Sequence, residues 1–187
     1  MVAAAVVVIV IVTVAIVLGR DQSDETADGP ARATEVAALA EVDVPDTAPD
    51  GSDSAGNAIS YGAANLVDGD ATTAWRTSGD AGGGEIVLAL PAAQTITSVG
   101  IVNGYAKVDE ASGDDRYEQN RRVLAATWIF DDGTEASYQL RETTDPQTFT
   151  LDEPVETTTI HIRIDEVSDP GGRDYTAISE LNLIGDP

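Results

Sequence analysis

Thr157-Thr158-Thr159-Ile160-His161-Ile162-Arg163-Ile164 is the stretch on which the fold reading turns. Ile160, Ile162 and Ile164 fall on one side of an extended chain; His161, Arg163 and Asp165 fall on the other. Side chains of a strand alternate between faces with a period of two, so this pattern means a half-buried antiparallel strand. Residues 85–90, 95–103, 123–130, 134–140, 147–151 and 177–184 repeat the texture as β-branched runs separated by Gly, Asp and Pro clusters. Phe130-Asp131-Asp132-Gly133-Thr134 carries the Asp-Gly signature of a hairpin turn. No ten-residue segment after Asn57 has a helical period. Seven or eight strands without helices predict an all-β sandwich or jelly roll.

Outward from that core the 187-residue chain divides into three parts. Residues 57–187 form the predicted β-sandwich domain, of ordinary size for a single core. Residues 21–56 hold ten acidic residues and one arginine, Arg32, with Pro30, Pro45 and Pro49. So little apolar surface does not offset ordering entropy, and a disordered acidic linker is expected, stretched by its own charge. Residues 1–20 contain the apolar run Val2–Leu18, interrupted by one polar side chain, Thr13.

A spanning helix needs ~20 residues within a range of about 17–25, and with Met1 and Gly19 included that run is just long enough. A cleaved signal peptide is the rival, but no Lys or Arg precedes the run and no small-x-small site follows it. A transmembrane helix that stays attached is the reading adopted, and the missing basic flank suggests a natural chain beginning upstream of Met1. Arg20 alone favours an inward C-terminal side. The acidic flank and the large following domain favour an extracellular one, so a single-pass cell-membrane protein with its domain outside is expected.

Charge excludes one class of function. Thirty-three Asp and Glu against ten Lys and Arg give a net charge of −23. A nucleic-acid binder needs a basic face to neutralise phosphates, and none of that size is present. Cysteine is absent, which removes disulfides, thiolate nucleophiles and Cys-ligated zinc.

Ala64-Asn65-Leu66-Val67-Asp68-Gly69-Asp70-Ala71-Thr72-Thr73-Ala74-Trp75 is the most specific local signal. Carboxylates and a hydroxyl converging over a glycine turn suit a hard cation of calcium size. The chemistry alone fits equally an acidic turn with Trp75 as a core anchor. The segment resembles the opening motif of the discoidin family, the coagulation factor 5/8 type C domain. Residues 84–90, 95–101 and 177–183 resemble later strands of that family, so the resemblance spans about 57–185 and implies a discoidin-like jelly-roll β-sandwich of about eight antiparallel strands.

A narrower resemblance rests on Asn103-Gly104-Tyr105-Ala106-Lys107 and Tyr117-Glu118-Gln119-Asn120-Arg121-Arg122. These are similar to the branch named after the translocation domain of a secreted NAD glycohydrolase, whose members often sit behind a transmembrane helix and a low-complexity linker. The NAD glycohydrolase catalytic domain has no counterpart, and its activity is not carried over. For many discoidin-like domains a structural calcium ion joins the first loop to the last strand; the matching positions are Asp68, Asp70, Thr73 and Glu180.

Lys107, Arg116, Arg121 and Arg122 fall within sixteen residues of a domain with 8 basic and 23 acidic residues from position 57 onward. Basic groups beside Tyr105 and Tyr117 suit a sugar or anionic ligand, by stacking and paired hydrogen bonds. Asn103, Tyr105, Lys107, Tyr117, Asn120, Arg121 and Arg122 are therefore the candidate ligand-binding set. Two alternatives stand beside it. The arginines could pair with Asp109, Glu110, Asp114, Asp115 and Glu118 to order a long loop. Asn103, Gly104 and Tyr105 could be fold determinants, Gly104 at positive φ with Tyr105 packed beneath.

No catalytic set emerges. His161, the single histidine, lies on the polar face of its strand, and no acidic pair is singled out. Gly82-Gly83-Gly84 precedes a strand and is not a phosphate cradle. The expectation is a non-enzymatic, membrane-anchored binding module for a carbohydrate or cell-envelope ligand. The alternative is a structural or protein-interaction module of a surface assembly.

Overall fold

Ile160, Ile162 and Ile164 are fully buried while His161 and Arg163 are half-exposed and Asp165 is exposed, so the period-two reading holds residue by residue. Each such isoleucine contributes roughly 1.5–3 kcal/mol on burial. The computed structural model describes residues 33–53 and 55–186. Its strands are β1 (Thr34–Glu35), β2 (Glu41–Asp43), β3 (Gly51–Ser52), β4 (Ala58–Ile59), β5 (Trp75–Ser78) and β6 (Glu85–Val102). They continue with β7 (Arg121–Phe130), β8 (Glu135–Gln139), β9 (Gln147–Val167), β10 (Tyr175–Ile178) and β11 (Glu180–Asp186). Helix among the described residues is limited to 3-10 turns at Ala37–Leu39 and Ala63–Leu66 and to α1 (Arg116–Gln119).

Nine strands join one curled sheet in the order β1-β11-β6-β9-β7-β10-β5, with β2 added to β6 and β8 to β7. β3 and β4 form a separate pair. The discoidin-like β-sandwich expected from sequence is the fold observed. The strand inventory differs from the expectation in two respects. β10 runs parallel to β7, where every pairing was expected to be antiparallel. The runs 85–90 and 95–103 are one continuous strand, as are 147–151 and 157–164.

Prolines explain why those strands read as broken. Pro91 lies where β6 pairing with β9 jumps from Ala89↔Thr159 to Gln94↔Thr157. Pro154 lies at the jump from Ile96↔Val155 to Ser98↔Thr150. Proline has no N–H for the ladder and is tolerated at bulges, which bend a strand without ending it. The expected hairpin closes as read: the Phe130 amide donates to the Thr134 carbonyl at 3.0 Å and Gly133 has a φ of 83°.

The largest correction concerns the linker. Residues 33–53 and 55–56, expected to be disordered within 21–56, are built into the domain. β1 pairs with β11 and β2 with β6, while Val36, Ala37 and Ala48 are buried. The Trp75 Nε1 donates to the Asp46 carbonyl at 2.9 Å. Glu41 and Asp43 are exposed, and Glu35 Oε1 accepts from the amides of Ala37 at 2.8 Å and Leu183 at 3.0 Å, so these charges do not oppose pairing. Short edge strands use backbone groups and a few small apolar residues, which composition does not register. The expected transmembrane helix, residues 1–20, and the linker up to residue 32 lie outside the described residues. Among the described residues no helix is long and apolar enough to cross a membrane.

The main core gathers Trp75, Trp128, Leu66, Ile86, Leu88, Ile101 and Ile178 around the three isoleucines of β9. A second cluster, Tyr61, Ala74, Tyr105 and Ala177, underlies the loops at one end.

Candidate functional site

The Asp68-Gly69-Asp70 turn is built from its own short oxygens. Asp68 Oδ1 accepts from the Asp70 amide at 2.8 Å, and Asp68 Oδ2 accepts from Thr73 Oγ1 at 2.8 Å. Asp70 Oδ1 accepts from the Thr72 amide and hydroxyl. Glu180, at the start of β11, is 7% exposed, and its Oε2 has no hydrogen-bond partner. Burial, with the charges of Asp68, Glu35 and Asp70 added, pushes its carboxyl up to about 7; the Gly69 amide offsets part of this.

The fold therefore brings the four residues expected to hold calcium to one corner. A buried, unpartnered carboxylate oxygen beside two aspartates is short of positive charge, which fits a hard cation. No group of three or more Asp, Glu, His or Cys side chains among the described residues is close enough to hold an ion. A cation here would also need the Thr73 hydroxyl and backbone carbonyls.

The seven candidate ligand residues take different roles on folding, although Arg122 Nη1 stays bonded to the Tyr117 carbonyl at 3.2 Å. Asn103 is fully buried: its Nδ2 donates to the carbonyls of Val123 and Arg141, and its Oδ1 accepts from Gln147 Nε2. Asn120 is fully buried, with Nδ2 donating to the Arg116 carbonyl. Tyr105 and Tyr117 are buried, and Gly104 has a φ of 133° with Tyr117 Cε2 2.6 Å from where a Cβ would stand. The fold-determinant alternative thus describes Asn103, Gly104 and Tyr105.

Ion pairing describes the arginines, though with partners other than most of those expected. Arg121 Nε donates to Asp174 at 2.6 Å and Arg122 Nη2 to Glu142 at 2.6 Å. Arg116 pairs with Asp109 at 3.0 Å and Asp114 at 3.4 Å. Asp115 caps α1, accepting from the amides of Tyr117 and Glu118. Lys107 stands half-buried at the loop end of the domain and, among the described residues, makes no ion pair.

Lys107 belongs to a set of adjoining hollows. A cleft of about 400 Å³ is lined by Asp53, Asn57, Thr72, Lys107, Val108 and Glu110, among others. A narrow recess of about 20 Å³ beside it shares Lys107 and Asp109 and is floored by Tyr61, Arg76 and Tyr105. Arg76 is 5% exposed, with its Cζ 3.7 Å from the Tyr61 ring centroid and 4.1 Å from that of Tyr175. Desolvation lowers its pKa from the ordinary arginine value, and the tyrosines oppose that shift.

Residues 42–184, more than half of the chain, match the family model described as the NAD glycohydrolase translocation F5/8 type C domain. The chain belongs to this family. No curated protein sequence matches it. Among solved structures, the family 32 CBM of Clostridium perfringens NanJ, in complex with galactose, is 20% identical. It has a TM-score of 0.55, with 82% of this chain and 99% of that one covered. The F5/8 type C domain of a Bacteroides fragilis protein is 17% identical, with a TM-score of 0.55 and coverage of 82% and 97%. The C. perfringens CpGH89 CBM32-5 module, in complex with GalNAc-β-1,3-galactose, is 15% identical, with a TM-score of 0.53 and coverage of 80% and 99%.

Family and fold are those of binding or translocation domains. In this translocation-domain sequence Arg76 was missed as a candidate because β5 was not recognised as a strand. The signal was present in Trp75-Arg76-Thr77. With Trp75 in the main core, alternation sends Arg76 to the opposite face, toward the second aromatic cluster.

Proposed function

We propose that this protein is a non-catalytic carbohydrate-binding module that grips its ligand in the loop-end cleft. The observation that carries the reading is the cleft of about 400 Å³, walled by Asp53, Asn57, Thr72 and Lys107. Carboxylates, an amide and a hydroxyl around a concave surface match the alternating donors and acceptors of a sugar. Solved domains of the same fold hold galactose and GalNAc-β-1,3-galactose, which supports the same class of ligand here.

Residues 1–20 anchor the module in the cell membrane as a single span, and residues 21–32 space the domain from its outer surface. The run Val2–Leu18 and the acidic residues that follow support this display. A calcium ion held by Asp68, Asp70, Thr73 and Glu180 clamps the first loop to β11, a structural role supported by the orphaned Glu180 oxygen. A second reading, a protein-interaction module of a surface assembly, is favoured by Val108, which is 59% exposed at the cleft rim.

Binding of the full chain to a panel of cell-envelope oligosaccharides, measured by calorimetry, tests the first reading. Saturable binding that Lys107→Ala weakens without changing the melting temperature, with the sugar recovered intact, is expected. Absence of glycan binding together with specific capture of one surface protein selects the second.

A further inference from the structure

The basic residues of this acidic chain are distributed unequally between paired and unpaired states. Arg116, Arg121, Arg122 and Arg163 each lie within ion-pair distance of an aspartate or glutamate. Arg76, Lys107, Arg141 and Arg173 have no such partner among the described residues. Three of those four, Arg76, Lys107 and Arg173, line the same narrow recess. The recess also holds the Arg116–Asp109 pair, and Arg173 Nε donates to Gln119 Oε1 at 3.0 Å, so among the described residues four cations face one carboxylate there and the excess positive charge suits an anion.

Arg76 is the centre of that site. It is nearly inaccessible, yet no carboxylate, carbonyl or hydroxyl among the described residues accepts a hydrogen bond from its side chain, and its buried Nε has no partner. The Tyr61 and Tyr175 rings stabilise its charge through their faces and use none of its N–H groups. The guanidinium therefore lacks an acceptor in its own plane, and a carboxylate meets such a plane with two parallel bonds. The strand ladder sets this geometry: Arg76 faces Ala177 across β5 and β10, whose small side chain leaves the room, and Tyr175 lies two residues along.

The surroundings limit the rest of the ligand. The recess of about 20 Å³ admits one small group, with room for the two oxygens of a carboxylate and not for a sugar ring. The adjoining cleft presents Asp53, Asn57, Thr72 and Glu110, which accept from hydroxyls and repel further negative charge. One carboxylate on a hydroxyl-rich body satisfies both parts, and a polyanionic peptide satisfies only the first.

We propose that the recess at Arg76 receives the carboxylate of an acidic, uronate-type sugar, with Lys107 and Arg173 adding positive charge around it. This rests on the carbohydrate-binding reading and names its ligand class.

The experiment compares the full chain's affinity for an oligoglucuronate and for the same oligosaccharide methyl-esterified, with acetate and a polyglutamate peptide as controls. About tenfold tighter binding of the free acid is expected, as loss of a charge-assisted bidentate pair implies. Lys107→Gln and Arg173→Gln should each narrow that preference several-fold at unchanged melting temperature. Arg76→Gln should abolish it; if that buried substitution unfolds the chain, the two rim variants decide. Equal affinity for acid and ester overturns the inference and leaves the carbohydrate reading standing. Binding of polyglutamate or acetate with no contribution from the sugar body, or no sugar binding at all, overturns both.

Discussion

Glu180 shows how one side chain links stability, pH and metal. Its folded-state carboxyl is raised from an ordinary 4.5 to about 7, because burial and neighbouring aspartates oppose ionisation. Between those values the folded chain binds more protons than the unfolded one, so stability falls as pH rises through that window. The full penalty, about 3 kcal/mol, applies above about pH 7 and is absent well below 4.5. In excess EDTA, Glu180→Gln should therefore raise the melting temperature at pH 8 and leave it unchanged near pH 3.5. Millimolar calcium should stabilise the natural chain at pH 8 and not the variant. Equal melting at pH 8 without calcium would show that the Glu180 charge is compensated. Gly104 is the other residue-scale case. A Cβ there would meet the Tyr117 ring at a φ of 133°, so Gly104→Ala should cost about 2–4 kcal/mol in chemical denaturation.

At the scale of elements, legibility followed the source of each element's stability. β9 was legible at Ile160, Ile162 and Ile164 because its own side chains divide between core and solvent. β1 and β2 were not legible, since they are held by backbone pairing to β11 and β6 and by contacts made far along the chain. A chain beginning at residue 57, the boundary composition suggests, loses Val36, Ala37, Ala48 and the acceptor of the Trp75 indole. It also uncovers edges of β6 and β11. It should melt about 4–8 °C below a chain beginning at residue 33, roughly what 2 kcal/mol produces in a domain of this size, and should aggregate more readily. Equal melting of the two would place those strands outside the cooperative unit.

For the whole molecule the controlling quantity is a net charge of −23. Self-repulsion of that field opposes the compact state, and salt shortens its reach from about 30 Å at 0.01 M to about 3 Å at 1 M. With EDTA present, sodium chloride should raise the melting temperature progressively. Affinity for an anionic sugar should respond with the opposite sign at moderate salt, because the attraction at Arg76, Lys107 and Arg173 is screened as well. A salt dependence of the same sign for both would assign binding to contacts other than charge.

Period-two alternation and Asp-Gly turns were enough to read an all-β domain from sequence, because each is a local rule that a short segment obeys alone, and the resemblance of the Asp68–Trp75 motif narrowed it to a discoidin-like one. Sequence also named the four residues that meet at the Glu180 corner, through a family motif rather than through spacing. Only the tertiary structure decided which cations are neutralised. Arg121 and Arg122 find Asp174 and Glu142, which lie 53 and 20 positions away in the chain. Arg76 finds two tyrosine rings and, among the described residues, no carboxylate. Pairing depends on distances across the sheet, and those exist only once β5, β7 and β10 have taken their places beside one another.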